Sequence, residues 1–119
     1  MVYTSSTASL AALELLAHLP RTTDLHNFVI FACSFRSGIV QNLDEEKLPA
    51  KWRESPAPRE LQEVGDKWVQ ANGSAVLRVP SVIIDSEWNY LLNPAHKDFA
   101  SIEVADPAPF NLDLRLMRR

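Results

Sequence analysis

The chain has 119 residues, 46% of them hydrophobic and 23% charged, with 12 Lys+Arg, 15 Asp+Glu and a net charge of −3. This composition is typical of one small globular domain and excludes disordered, collagen-like and coiled-coil chains. Because it lacks the cationic surplus that binds phosphate backbones, we expect no direct nucleic-acid binding. The apolar stretches are too short to span a bilayer, no basic leader precedes them, and there is a single cysteine. We therefore expect a cytoplasmic protein without membrane association.

The first half of the chain predicts a helix and a strand. Cap-type residues at 4–7 precede an apolar run that predicts a helix continuing to about Leu19, where Pro20 ends it. The run leaves almost no polar face, which predicts a helix buried inside the fold. A polar turn at 21–24 leads to residues 28–35, whose aromatic and β-branched side chains predict a central strand.

The middle of the chain predicts a loop followed by a second helix. Residues 44–59 are rich in charge and proline, which indicates a long loop. Pro58 suits the first helical position of an amphipathic helix at about 59–70, closed by residues 72–73. In this helix the apolar spacing turns Trp68 toward the core.

The last third predicts mainly strands. Residues 75–84 favour a strand interrupted at Pro80, whose missing N–H forces a bulge or an edge. Residues 91–94 predict a turn into a short helical piece that ends near Phe99. Two final strands are predicted, at 102–105 and 110–114. The element order predicts an α+β fold, with one mixed sheet flanked by helices.

Glu14 is the residue that composition does not explain. Burying a carboxylate on an apolar helix costs several kcal/mol unless the group is paired, is hydrogen-bonded or takes part in function. Glu14 therefore suggests that this helix borders a cleft. His18 lies four residues further on the same face, and a simple pair between the two side chains would satisfy the charge without catalysis. Both interpretations remain open from the pattern.

The lone cysteine and the remaining histidines give a weaker signal. Cys33 lies in the apolar run, where a free cysteine is usually an inert small hydrophobe. Activation by His26 or His96 would make it a nucleophile, but nothing in the sequence places either imidazole beside the sulfur. The stretch 93–96 is typical of a turn with a surface histidine.

The three tryptophans, Trp52, Trp68 and Trp88, allow two interpretations. They could stack on a planar ligand, although tryptophans in a domain of this size more often anchor the core. The three glycines are isolated, which argues against a Rossmann or P-loop nucleotide site.

Several motifs occur in one order along nearly the whole chain. They are Val2-Tyr3-Thr4-Ser5 with residues 11–19, Leu48-Pro49 with Trp52-Arg53, residues 65–68, residues 79–82, and, as the most specific part, residues 87–96 followed by Phe99 and residues 110–116. Together they resemble the RES-domain family, the toxins of a bacterial toxin–antitoxin system. The literal tripeptide at 53–55 is a coincidence and not the motif that names the family.

The resemblance implies an ADP-ribosyltransferase-like α+β fold that binds NAD and breaks its nicotinamide–ribose bond. In the family the bond is broken by hydrolysis or phosphorolysis, and some relatives transfer ADP-ribose to protein. NAD is then the substrate, and no further cofactor is implied. The implied partner is a helix-turn-helix antitoxin that closes the NAD cleft, and a homo-oligomer is left open.

The family's functional residues are carried over by position. Its Tyr matches Tyr3, its Glu matches Glu14 and its Ser matches Ser81. Its Arg has no counterpart in residues 1–119, which we therefore interpret as a single RES-type domain without its N-terminal strand or strands. We expect the coding sequence before Met1 to contain, in frame, an Arg several residues upstream of Tyr3.

The implied chemistry suits these residue types. Cleavage of an N-glycosidic bond passes through an oxocarbenium-like state, which a buried carboxylate such as Glu14 stabilises. The ring of Tyr3 could stack on nicotinamide, and Ser81 could hydrogen-bond the ligand. Nicotinamide leaves as a neutral group, so neither a metal nor a strong general acid is required.

Two other interpretations compete with an NAD-degrading toxin. In one, the chain is a degenerate RES protein that binds an antitoxin or NAD without catalysis, because the Arg is missing. In the other, it is a structural domain in which Glu14 pairs with His18.

Overall fold

The computed structural model describes residues 1–20 and 23–118. The helices and strands of this part of the chain are β1 (Val2–Ser5), α1 (Ala8–His18), β2 (Val29–Ile30), β3 (Cys33–Ser34), β4 (Val40–Asn42), α2 (Arg59–Ala71), β5 (Val76–Pro80), β6 (Trp88–Leu92), β7 (Glu103–Val104) and β8 (Ala108–Pro109). Short 3-10 turns lie at Ser37–Ile39, Glu45–Lys47, Lys97–Ser101 and Leu114–Arg118.

The main sheet has four strands in the order β1-β6-β5-β4. β6 runs antiparallel to both β1 and β5, whereas β4 and β5 are parallel. The predicted α+β class with a mixed sheet is therefore confirmed. β6 itself was not predicted, because the turn signal of Asn93 and Pro94 drew the preceding Leu91 and Leu92 into an expected turn.

The expectation of a central strand at 28–35 is wrong. This stretch forms only β2 and β3, which pair with β8 and β7 in two separate two-stranded sheets. Val29 is 56% exposed and Phe31 is 53% exposed. Apolar composition favours a strand but does not say which neighbour it pairs with, and here the neighbour is the C-terminal segment.

The predicted C-terminal strands lie close to the observed ones. β7 falls inside the expected 102–105, but β8 precedes the expected 110–114. Phe110 still continues the pairing, since its N–H donates to the carbonyl of Phe28 at 2.8 Å. Pro107 and Pro109 did not exclude pairing here because the strand lies at a sheet edge.

The predicted boundaries of α1 are confirmed, but its predicted burial is wrong. Thr7 caps the helix by accepting a hydrogen bond from the N–H of Leu10 at 3.1 Å. Within α1, Leu10 and Leu16 are buried, whereas Leu13 is 40% exposed. An apolar helix need not be enclosed, since much of the surface of a folded protein is apolar. This open placement leaves Glu14 at the wall of a cavity.

Helix α2 follows the sequence prediction closely. Asn72 adopts a left-handed conformation with φ of 52°, and its N–H donates to the carbonyls of Trp68 and Val69. The Trp68 ring is buried, and its Nε1–H donates to the hydroxyl of Ser74 at 2.8 Å. Pro58 is the N-cap residue and not the first helical residue, a shift of one position.

Strand β5 ends at Pro80, after its pairing with β4 has already ended at Arg78. The parallel pairing of β4 with β5 ends at Asn42 and Arg78, and the antiparallel pairing with β6 ends at Pro80 opposite Trp88. The missing N–H of Pro80 therefore interrupts no pairing with β4, and the chain turns immediately at Ser81. The strand thus ends where an interruption was predicted, but it does not resume, so the expected strand at 81–84 is wrong.

In the described part of the chain, buried side chains form three core clusters. One packs beside β4–β6 around Val76 and Ile102, one lies between α1 and the C-terminal segment around Leu16 and Leu112, and one lies under α2 around Trp68. No helix among residues 1–20 and 23–118 is long and apolar enough to cross a membrane.

The C-terminal segment contributes to two of these clusters, so we predict that deletion after Ala100 unfolds the protein. Ile102 and Leu112 are 8% and 7% exposed, and each contributes about 1.5–3 kcal/mol by burial. The deletion also removes β7 and β8. Thermal unfolding followed by circular dichroism should lose its cooperative transition.

A matched pair of leucines in this segment provides the control. Leu112 is buried and Leu114 is 60% exposed. Leu112→Ala should cost about 2–5 kcal/mol of unfolding free energy and Leu114→Ala no more than about 0.5 kcal/mol. A truncated chain that melts cooperatively near the normal temperature would show that the segment is dispensable.

Candidate active site

A cavity of about 780 Å³ lies between the main sheet, α1, α2 and the loop that precedes α2. Side chains from every one of these elements line it, among them Tyr3, Glu14, Trp52, Arg53, Leu61, Val79 and Asn89. A cavity of this volume lies within the range of about 300–1,000 Å³ in which small-molecule sites usually fall.

Glu14 lines this cavity, and the fully buried Ser81 lies behind it and hydrogen-bonds its carboxylate. The hydroxyl of Ser81 donates to Oε1 of Glu14 at 3.3 Å. Ser81 is fully buried, and its Oγ also accepts from the N–H groups of Ile83 and Ile84, both at 3.1 Å. Since a hydroxyl has one proton and two lone pairs, these two acceptor contacts direct the proton to Glu14.

The turn that carries Ser81 is held by the backbone as well. The N–H of Ser81 donates to the carbonyl of Glu87 at 2.9 Å, and Ser86 has a φ of 71°. The turn thus positions the hydroxyl of Ser81, and this hydroxyl orients the carboxylate of Glu14. The predicted contact of Ser81 with a ligand stays a prediction, whereas its contact with Glu14 is present.

His18 contacts the backbone of Glu14. Its Nδ1 lies 2.7 Å from the carbonyl oxygen of Glu14, and the imidazole is exposed. This bond fits the helical spacing of four residues without engaging the carboxylate. The carboxylate instead accepts a hydrogen bond from Ser81, which links Glu14 to the turn after β5 and not to a neighbour on its own helix.

Tyr3 stands on β1 at the mouth of the cavity, with its side chain 71% exposed. Partial desolvation raises the pKa of its phenol above the ordinary value, and the carboxylates of Asp66 and Glu14 raise that pKa further. The phenol is therefore protonated at neutral pH and keeps both a ring and a hydroxyl donor for a ligand.

Sequence reasoning did not single out Asn89, a buried polar residue of the cavity wall. Its Nδ2 donates to the hydroxyl of Ser5 at 3.1 Å and to the carbonyl of Thr4 at 3.3 Å. Asn89 thereby ties β6 to β1 beside Tyr3. The available signal was its place inside residues 87–96, the most specific motif of the chain.

The three tryptophans have three different environments. Trp68 anchors the core, as one of the two interpretations expected. Trp52 lines the cavity, and the guanidinium of Arg53 lies 4.3 Å from the centroid of its ring. Trp88 lies under the guanidinium of Arg78 at 3.6 Å.

Different parts of the fold carry Cys33, His26 and His96. Cys33 lies on β3, and His26 is exposed in the loop before β2. His96 is 8% exposed, so the expected surface histidine is wrong. Its Nδ1 accepts from the N–H of Asp98 at 3.0 Å, which caps the 3-10 turn Lys97–Ser101 and explains the burial.

Comparison with known proteins supports the family resemblance that the motifs indicate. The profile of the RES domain matches residues 1–113. A protein named Toxin Res from Yersinia enterocolitica is 34% identical over 116 residues, which is 97% of this chain and 76% of that protein. Toxin Res from Photorhabdus laumondii is 34% identical over 119 residues, with 98% and 76% covered. The Prs ADP-ribosylating toxin of a Sphingobium strain is 31% identical over 122 residues, with 100% and 76% covered.

The contacts of Ser81 predict that Ser81→Ala destabilises the protein. Alanine leaves the N–H groups of Ile83 and Ile84 without their acceptor in a buried turn, at a cost of roughly 1–3 kcal/mol. Urea unfolding followed by fluorescence measures this loss.

Ser101→Ala is the matched control, because its hydroxyl makes an exposed hydrogen bond to the carbonyl of Asp98. We expect it to change the free energy of unfolding by no more than about 0.5 kcal/mol. Equal effects of the two substitutions would contradict the central role of the Ser81 hydroxyl in the turn.

Proposed function

This chain belongs to the RES domain family, and we propose that it is an NAD⁺-degrading toxin that cleaves the nicotinamide–ribose bond. The single observation that supports this most is the Glu14 carboxylate, held by the Ser81 hydroxyl in the wall of a cavity of about 780 Å³. A fixed carboxylate on a cavity wall is what the stabilisation of a developing positive charge requires.

The proposed cleavage of NAD⁺ requires only a few protein side chains. As the C–N bond lengthens, positive charge develops on the ribose, and the Glu14 carboxylate stabilises it and accepts hydrogen bonds from the ribose hydroxyls. The hydroxyl of Ser81 donates to one oxygen of this carboxylate at 3.3 Å, and the other oxygen remains available to the ligand. Tyr3, exposed at the mouth, would stack on the nicotinamide, which departs as a neutral molecule.

The acceptor of ADP-ribose separates two candidate activities. Transfer to water or phosphate would make the protein a glycohydrolase or a phosphorylase. Transfer to a protein side chain would make it an ADP-ribosyltransferase, and the name of the Sphingobium relative favours this second candidate. Cleavage of the same bond begins both reactions, so the role of Glu14 is common to them.

We also propose that a partner protein restrains this activity. Tyr3, Val82 and Ile83 line the cavity and are 71%, 39% and 39% exposed, which gives its mouth an apolar rim. A helix-turn-helix antitoxin that covers this rim would close the cavity to NAD⁺. The cytoplasm is the proposed location, since the substrate and such a partner meet there.

Product analysis tests the proposed function directly. Purified protein is incubated with NAD⁺, with and without phosphate and with a cell extract, and the products are separated by chromatography. Free nicotinamide should appear with ADP-ribose, its phosphorylated form or ADP-ribosylated protein. Intact NAD⁺ together with NAD⁺ binding would favour the degenerate, non-catalytic member of the family.

We predict that Glu14→Gln abolishes this activity while the fold remains. Glutamine keeps the shape and still accepts from Ser81, but it lacks the charge that stabilises the transition state, so turnover should fall by about 100-fold or more. Melting should show a loss of no more than about 1 kcal/mol. Turnover is measured as the rate of NAD⁺ consumption by the purified protein.

Glu103→Gln is the control, since Glu103 is an exposed carboxylate on β7 in a different sheet. It should leave both turnover and melting unchanged. A stable and fully active Glu14→Gln protein would contradict the catalytic role, and a destabilised but active one would favour a structural pairing of Glu14.

A further inference from the structure

Arg53 is a cationic side chain in the cavity wall to which the proposed reaction assigns no role. Among the described residues that line the cavity, it is the only arginine or lysine. Carboxylates line the same cavity at Glu14 and Glu54. A dinucleotide carries two negative charges on its pyrophosphate, so this cavity would repel it unless a cation lies beside the phosphates.

The guanidinium of Arg53 is already oriented without a ligand. It lies 4.3 Å from the centroid of the Trp52 ring, a distance typical of a cation–π contact. Its Nη1 donates to the carbonyl of Val82 at 3.3 Å and lies 2.7 Å from the carboxylate of Asp85. The side chain thus joins the loop before α2 to the turn that carries Ser81.

The ion pair with Asp85 is readily exchanged. The side chains of Arg53 and Asp85 are 39% and 88% exposed, and exposed pairs of this kind contribute little stability. A phosphate group offers the same acceptor geometry as a carboxylate, and an arginine fork binds it through two parallel N–H donors. Asp85 therefore occupies the position of an anion that a ligand can supply.

We propose that Arg53 is the pyrophosphate-binding residue of the cavity and that Asp85 is its exchangeable counter-ion. This inference rests on the proposed function for the identity of the ligand. The ring of Trp52 packs against the guanidinium of Arg53. The hydrogen bond to the Val82 carbonyl holds this guanidinium in place when Asp85 is displaced. The turn from Ser81 to Asp85 then contacts both the catalytic carboxylate and the phosphate-binding arginine.

Binding measurements by calorimetry separate this role from catalysis. The two probes are ADP-ribose, which contains the pyrophosphate, and nicotinamide riboside, which contains no phosphate. R53Q should weaken ADP-ribose binding about tenfold or more and change nicotinamide riboside binding less than twofold. R53K should lie in between, because an ammonium lacks the fork. D85N should tighten ADP-ribose binding severalfold, since it removes the competing carboxylate.

R59Q is the matched control, because Arg59 is a well exposed arginine on α2 with a long 3.9 Å pair to Glu63. It should leave both affinities unchanged, and melting confirms that every variant is folded. Three results would overturn the proposal: equal effects of R53Q and R59Q, equal losses of both probes in R53Q, or weakening of ADP-ribose binding by D85N. Absence of ADP-ribose binding by the unsubstituted chain would overturn it too.

The same measurements distinguish this proposal from the proposed function. Arg53-dependent binding of ADP-ribose in a protein that leaves NAD⁺ intact would support the phosphate site and contradict the catalytic activity. NAD⁺ cleavage with an unchanged KM in R53Q would support the activity and contradict the phosphate site.

Discussion

The buried hydroxyl of Ser81 connects the parts of this molecule that would otherwise be independent. Two backbone N–H groups occupy its oxygen and its proton goes to Glu14, so its position and direction are both determined. A helix on one side of the cavity is thereby joined to a turn at the end of a central strand. Helix α1 is partly exposed, so without this hydrogen bond nothing would orient the carboxylate of Glu14 toward the cavity.

The sheet explains why this turn occurs where it does. Pro80 ends β5 after β4 has already stopped pairing, and β6 returns antiparallel from Trp88. Only a short turn separates the two strands, which confines Ser81 to the end of β5. β1 completes the arrangement by pairing with β6, which places Tyr3 and Asn89 on the same cavity. The least regular part of the sheet is therefore the part that carries the site.

Local signals in the sequence predicted the helices well, since caps, prolines and the left-handed Asn72 act within a few residues. The strand pairings could not be predicted in the same way. Strands β2 and β3 pair with a segment 69 to 80 positions away, and β6 follows a weak pattern next to a strong turn signal. The unusual carboxylate pointed to Glu14, but its partner Ser81 is 67 residues distant and came only from the resemblance. Asn89 was not singled out, because no strand was predicted at its position and its packing against β1 could not be anticipated.

The division of the cavity into a wall and a rim has a chemical consequence. Glu14 belongs to the wall, where the buried Ser81 donates to its carboxylate, and in the proposed reaction a carboxylate so oriented selects the bond of the ligand that is cleaved. Tyr3, Val82 and Ile83 belong to the exposed rim, where water, a phosphate ion or a protein surface can approach. We propose that the oxocarbenium-like species of this reaction is captured by the nucleophile that approaches through the rim, so that the rim and not the wall selects the acceptor.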